Sequence, residues 1–163
     1  MDGLSADGSQ RAEEVYRAHA DALVRFATGL VGPADAGDVV ADAMWRVLRS
    51  GRLDGVADAR GYLYRAVLNE ARMHHRSTMR RRAREQRAAA LRREPSGVLA
   101  EPRPEVLEAV ARLSVRQRAV VVLVYWEDLD ERGVAARLGM STGSVRRHLA
   151  RAHARLRELI DRD

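Results

Sequence analysis

The chain has 163 residues, 46% of them hydrophobic but only 4% aromatic, with a formal net charge of +6. That length allows one ordinary domain or two small ones. A core short of aromatics must be built from Ala, Leu and Val, which favours helices over sheets. The absence of cysteine excludes a disulfide scaffold and any thiolate metal site. No apolar run approaches the length of a membrane span, so membrane insertion is not expected. The opening MDGLSADGSQ lacks the charged-then-apolar order of a signal peptide, which suits a cytoplasmic protein. There is no lysine: the 29 cationic residues other than histidine are all arginine, and they are unevenly spread. Residues 1–58 hold ten acids and six arginines, whereas 59–163 hold thirteen acids and twenty-three arginines. Such asymmetry points to a polyanionic partner for one part and a different partner for the other.

Residues 1–9 read as disordered. From Gln10 to about Leu30, the positions Val15, Ala18, Ala22, Leu23, Phe26 and Leu30 recur at helical spacing, and Gly32-Pro33 closes that helix. A second helix is expected from Asp35 to Arg49, with Val39, Val40, Ala43, Met44, Val47 and Leu48 inward. Ser50–Gly55 reads as a loop. A third helix begins near Asp58 and runs through Tyr62, Leu63, Ala66, Val67 and Ala71 into an arginine-rich tail. These three helices predict a small N-terminal bundle over 10–82. Three of the four prolines fall between Arg80 and Pro104. Residues 83–103 accordingly read as a flexible linker whose first half can extend the helix. A four-helix C-terminal domain is predicted over 104–163. The fold class is therefore all-α.

The stretch 113–159 carries the sharpest local signals. Ser114 caps a helix with Gln117 placed to complete a capping box. Val120, Val121, Leu123 and Val124 fill that helix. Asp130 caps a shorter one with Val134, Ala135 and Leu138 inward. Gly139 falls where a left-handed residue ends it, and Ser141 or Thr142 starts the last helix. There Val145, Leu149, Ala152 and Leu156 share one face, while Ser144, Arg146, Arg147, His148 and Arg151 occupy the other. This is a helix-turn-helix whose cationic second helix suits a DNA major groove. Thr142 and Ser144 are placed to donate to phosphates, Arg146, Arg147 and His148 to reach base edges, and Arg151 to touch the backbone.

In the second helix Asp38 and Asp42 share a face. Beside Val39, Trp45 and Arg46 they form an acidic, partly apolar stripe suited to a basic partner helix. Asn69 stands mid-helix, where asparagine is mildly unfavourable, and its amide suits a base edge. Nine arginines against one glutamate follow within 72–93, among them Arg72, Arg76 and Arg80, suited to phosphates. His74 and His75 are adjacent, hence about 100° apart on a helix, and make no shared metal site. Neither a nucleophile with a base, nor a phosphate loop, nor a metal motif is found, so no cofactor and no catalytic role are expected.

Taken together, DAGDVVADAMWRVLRS (35–50), DARGYLYRAVLNEARMHHR (58–76) and the 113–159 segment resemble the extracytoplasmic-function group of bacterial RNA polymerase sigma factors. Arg60, Leu63, Tyr64, Arg65 and Asn69 fall on that group's pattern. Ala41, Trp45 and Tyr62 depart from it. The resemblance implies a promoter-specificity subunit that docks on core RNA polymerase through the largest-subunit clamp and the flap. In that case Asp38, Val39, Asp42, Trp45 and Arg46 would grip the clamp. Asn69 and the 51–57 loop would hold an unstacked −10 base, flanked by Arg72, Arg76 and Arg80. The last helix would read the −35 duplex. The group often has an anti-sigma partner that clamps both domains. The competing reading is a two-domain helix-turn-helix regulator that works without being a polymerase subunit; residues 10–80 lack the alternating strands that its receiver would need.

Overall fold

Seven α-helices and one 3-10 turn make up the computed structural model, which describes residues 6–92 and 105–160. Helix α1 (Ala6–Val31) starts four residues before the apolar pattern does, and Ala12 is the first core side chain along it. It ends at Gly32, held at φ 89°, and Pro33 opens α2 (Pro33–Ser50) at the position where a missing N–H costs nothing. Gly51 closes α2 in the left-handed region at φ 61°. The expected loop contains a 3-10 turn (Arg52–Gly55) that buries Leu53. Asp58 then caps α3 (Ala59–Arg92), its carboxylate accepting from the Gly61 N–H at 2.9 Å.

Helix α3 is 34 residues long, roughly 50 Å at 1.5 Å per residue. Only its first half is covered: Leu63, Tyr64, Val67, Leu68 and Ala71 are buried, whereas the arginine-rich second half stands mostly in solvent. The helix takes in residues 83–92, the first half of the expected linker, which the sequence allowed to extend it; the remainder of that linker lies outside the described residues.

The C-terminal half comprises α4 (Glu105–Ala111), α5 (Val115–Tyr125), α6 (Glu131–Leu138) and α7 (Thr142–Ile160). The Ser114–Gln117 capping box forms in both directions, at 3.2 and 2.8 Å. Asp130 accepts from the Gly133 N–H at 2.7 Å. Gly139, at φ 63°, turns the chain from α6 to α7. A small cluster of Leu113, Val121 and Ala152 ties α5 to α7.

The expected two-part architecture is present, but the parts are not separate. One apolar core runs from Ala12, Leu23, Phe26 and Leu30 in α1 through Val39 and Val67 to Val120, Leu123, Val134 and Val145. Each of its Val, Leu and Phe side chains contributes about 1.5–3 kcal/mol when fully buried. Helix α5 lies on α1, and α6 on α3. A Cβ at Gly29 would stand 2.5 Å from Val122 Cγ2, so α1 and α5 approach closely only because residue 29 is glycine.

Candidate nucleic-acid interface

The start of α7 is built by its cap. Ser141 Oγ accepts from the Ser144 N–H at 3.1 Å, which leaves Thr142 as the first helical residue. Arg147 is exposed and steadied by Ser144 Oγ at 3.0 Å. Arg146 is exposed but paired with Glu131 of α6, and Arg151 is exposed one turn on. His148 is half-buried, and burial together with Arg116, Arg151 and Arg147 holds its pKa below the ordinary value. It is therefore a neutral imidazole at neutral pH, a hydrogen-bonding group rather than a charge. The Thr142, Ser144, Arg146, Arg147, His148 and Arg151 set occupies the first three turns, beside the Gly139 corner, as a recognition helix requires.

A second surface lies on α3. Asn69, Arg72, Arg76 and Arg80 recur every three or four residues and so line one stripe of the helix. Asn69, Arg76 and Arg80 are exposed, whereas Arg72 is half-buried. Burial, Arg116 and Arg76 pull the Arg72 pKa below its ordinary value, yet a guanidinium stays protonated at neutral pH. Between this stripe and α2 runs a groove of about 570 Å³ lined by Asp42, Arg46, Glu70, His74, Arg76 and Arg80. Glu70, only 7% exposed, meets Arg46 at 2.8 Å. His74 Nε2 lies 3.1 Å from Asp35.

The third surface is the outer side of α2. Asp38, Asp42 and Trp45 are exposed there, Trp45 at 61%, with Arg49 over its ring at 5.8 Å. Val39 departs from the expectation: it points into the core with 1% exposure, because it follows the inward stripe of α2, and reaches only the floor of the groove. Tyr64 is likewise fully buried, so it offers no face to a base in this arrangement.

Sequence reasoning missed a polar seam between the halves. Tyr64 donates its hydroxyl to Glu127 Oε1 at 2.7 Å, and Arg137 and Arg60 approach Glu127 Oε2 at 3.4 and 3.9 Å. Arg118, 7% exposed, donates to the Leu113 carbonyl and to the Leu30 carbonyl at the end of α1, and no carboxylate pairs with it among the described residues. Its one visible signal was an arginine set directly against the apolar run 119–124 of α5. No group of three metal-ligating side chains occurs among the described residues.

Two helical modules in one chain, each presenting arginines along one helix, define a nucleic-acid reader with two reading heads. Comparison with known proteins makes this specific. Residues 15–81 match the family described as Sigma-70 region 2, and residues 103–156 match Sigma-70, region 4. The RNA polymerase sigma-E factor of Streptomyces antibioticus is 37% identical over 153 residues, covering 91% of this chain and 84% of that one. Its namesake from Streptomyces coelicolor is 36% identical over 159 residues, covering 93% and 87%. Among solved structures, CnrH in complex with the cytosolic domain of CnrY is 27% identical with a TM-score of 0.61, covering 98% of this chain and 96% of that one. The sigma factor RpoE of Bartonella quintana, in complex with the anti-sigma factor NepR, has the same fold at 23% identity and a TM-score of 0.58, covering 98% and 99%. The chain belongs to the sigma-70 family, within its extracytoplasmic-function group: it is a sigma factor, which confers promoter specificity on bacterial RNA polymerase.

Proposed function

We propose a division of labour among the three surfaces of this sigma factor. Residues 10–82 hold core polymerase and the melted −10 strand, and residues 104–163 hold the −35 duplex. The exposed acids Asp38 and Asp42, with Trp45 and Arg46, take the clamp of the largest subunit. Asn69 and the 51–57 loop take an extruded non-template base, whose capture offsets an unstacking cost of a few kcal/mol and so favours the open complex. Arg72, Arg76 and Arg80 neutralise the phosphates alongside. At the −35 element Thr142 and Ser144 position the backbone, Arg146, Arg147 and His148 face base edges, and Arg151 adds a phosphate contact. The chain performs no chemistry of its own and acts in the cytoplasm, where the polymerase works. Two solved relatives are complexes with an anti-sigma factor or a cytosolic domain of a partner, which supports an anti-sigma partner here as well.

The observation that carries this reading is the stripe Asn69, Arg72, Arg76 and Arg80 on one helix and the capped cationic start of α7 on another. The test begins with co-purification with core polymerase and run-off transcription from promoters selected out of a library randomised at both elements. Asn69→Ala is expected to impair strand opening, read by permanganate reactivity, more than initial binding. Arg147→Ala is expected to weaken −35 recognition by roughly 1–3 kcal/mol, about 5- to 150-fold. Equal defects in both steps for both variants would sink the assignment.

A further inference from the structure

The arginines at the start of α7 are not held alike. Arg147 donates to Ser144 Oγ, one turn back on its own helix, at 3.0 Å. Arg151 is exposed and has no hydrogen-bond partner among the described residues. Arg146 is tied to another helix: its Nε donates to Glu131 Oε2, at the first position of α6. Both ends of this pair are open to solvent, the Arg146 side chain at 69% and that of Glu131 at 38%.

Helix α6 does not need Glu131 for its cap. Asp130 fills that place, accepting from the Gly133 N–H at 2.7 Å. An acid in the first turn favours the helix dipole, but that benefit does not require an arginine from α7 against it. An exposed ion pair adds little to stability, and an acid set among residues suited to DNA opposes phosphate by like charge. What the pair does supply is order. A free arginine side chain loses much rotamer freedom when it settles on a base, and one already held loses less. The bond uses the Nε edge of the guanidinium, so the terminal nitrogens keep donors in the fork that matches guanine O6 and N7. We infer that Glu131 is a positioning residue for −35 recognition: it holds Arg146 with its free fork toward a guanine in the major groove, and so sharpens the choice of base at one position of the element. Ser144 steadies Arg147 in the same way with a neutral hydroxyl. Arg151, which nothing holds in place, suits a phosphate, where direction carries no sequence information. The inference rests on the assignment of α7 to the −35 duplex made above.

The test measures base preference, which a merely structural role would not move. Core polymerase loaded with the full chain transcribes a promoter library randomised through the −35 element, and the transcripts are counted by sequencing. Arg146→Ala first locates the base pair at which the guanine preference falls. Glu131→Ala is expected to lower the guanine preference at that same pair about three- to fivefold, within the worth of an exposed ion pair, and to leave the preferences at the other pairs unchanged. Glu131→Gln keeps an acceptor oxygen on the same stem and is expected to keep most of the preference. In the Arg146→Ala background Glu131→Ala is expected to change nothing further, since a positioning residue acts only through the arginine it holds. A uniform fall across all −35 sequences would overturn the inference, because Glu131 would then serve only the fold of α6. A sharper guanine preference would overturn it too, since Glu131 would then be masking Arg146. So would an effect that survives in the Arg146→Ala background, which would place Glu131 itself on a base. If neither Arg146→Ala nor Arg147→Ala alters any −35 preference, the assignment of α7 fails and the inference with it. If those variants do and Glu131→Ala does not, the inference alone fails.

Discussion

Gly29 offers a prediction in which even the sign depends on whether the halves touch in solution. Gly29→Ala replaces a helical glycine in α1 with alanine, which alone favours the helix by about 0.5–1 kcal/mol. In the closed chain the added methyl would sit 2.5 Å from Val122 Cγ2. Val122 is β-branched and stiff at χ1, and it is only 7% exposed, so it cannot swing clear cheaply. Overpacking of this kind costs about 1–3 kcal/mol, so the net effect is a loss of up to about 2 kcal/mol. Val122→Ala removes two buried methyl groups and leaves a gap, costing about 2–3 kcal/mol. In the double variant the methyl added at position 29 occupies the space Val122 vacated. The clash disappears, the helix gain remains, and the pair costs only about 1–2 kcal/mol. Urea denaturation of the four proteins should therefore give a favourable coupling energy of about 1.5 kcal/mol or more. Additivity within about 0.5 kcal/mol, together with a stabilising Gly29→Ala, would show that α1 and α5 are not in contact.

Acid should loosen the fold. His19, His75 and His148 all titrate below their ordinary value of 6.5, chiefly through burial and then through neighbouring arginines. Groups with a lowered folded pKa give their full stability above pH 6.5 and lose it as the pH falls below that value, since the unfolded chain takes up the protons first. The urea midpoint should drop between about pH 7 and pH 5.5, and a triple His→Gln variant should flatten the profile. Ser114→Ala removes the hydroxyl half of the capping box at α5 and should cost about 1 kcal/mol of stability in the same assay. Gly139→Val places a β-branched residue at φ 63° against Arg65 and should abolish −35 binding and lower stability by more than about 1 kcal/mol, whereas Gly37→Ala, at a helical position with open space around it, should leave both unchanged.

Much of the fold was legible because much of it is local. Ser114 with Gln117, Asp130, Gly139 and Ser141 each act on backbone groups within a few residues, so their spelling alone located the ends of α5, α6 and α7. The apolar stripes of α2 and of early α3 were equally plain, since a helical period is visible without knowing the partner. The start of α1 was misplaced because the letters ADGS at 6–9 carry no apolar stripe to announce a helix. Val39 was placed correctly on the inward stripe and yet counted as a partner contact, because a helix face adjacent to an acidic one does not reveal how deeply it sinks. What could not be read were contacts between residues distant in sequence. Tyr64 and Glu127 lie 63 positions apart, and Arg118 and Leu30 lie 88 apart. No periodicity links such pairs; only the fold brings them together.

The charge pattern shows which forces act at the seam between the halves. Its apolar part, Phe26, Leu30, Val120, Val122 and Leu123, supplies attraction that does not depend on salt. Its electrostatics are weighted the other way. Across the seam Arg116 of α5 presses on Arg72 of α3, Arg118 of α5 on His75 of α3, and Arg137 of α6 on His19 of α1, so positive groups oppose Arg72 and disfavour protonation of the two histidines. Against them stands Glu127, a carboxylate shared among Tyr64, Arg60 and Arg137. A chain that must bind polyanions at two places carries its positive charge on both halves, and bringing those halves together necessarily opposes like charges. Of these residues Arg72 also belongs to the stripe proposed for phosphate, so part of the charge suited to DNA is charge that opposes the packing of the halves. Affinity for DNA and repulsion across the seam therefore have one physical source, the excess of arginine beyond residue 58.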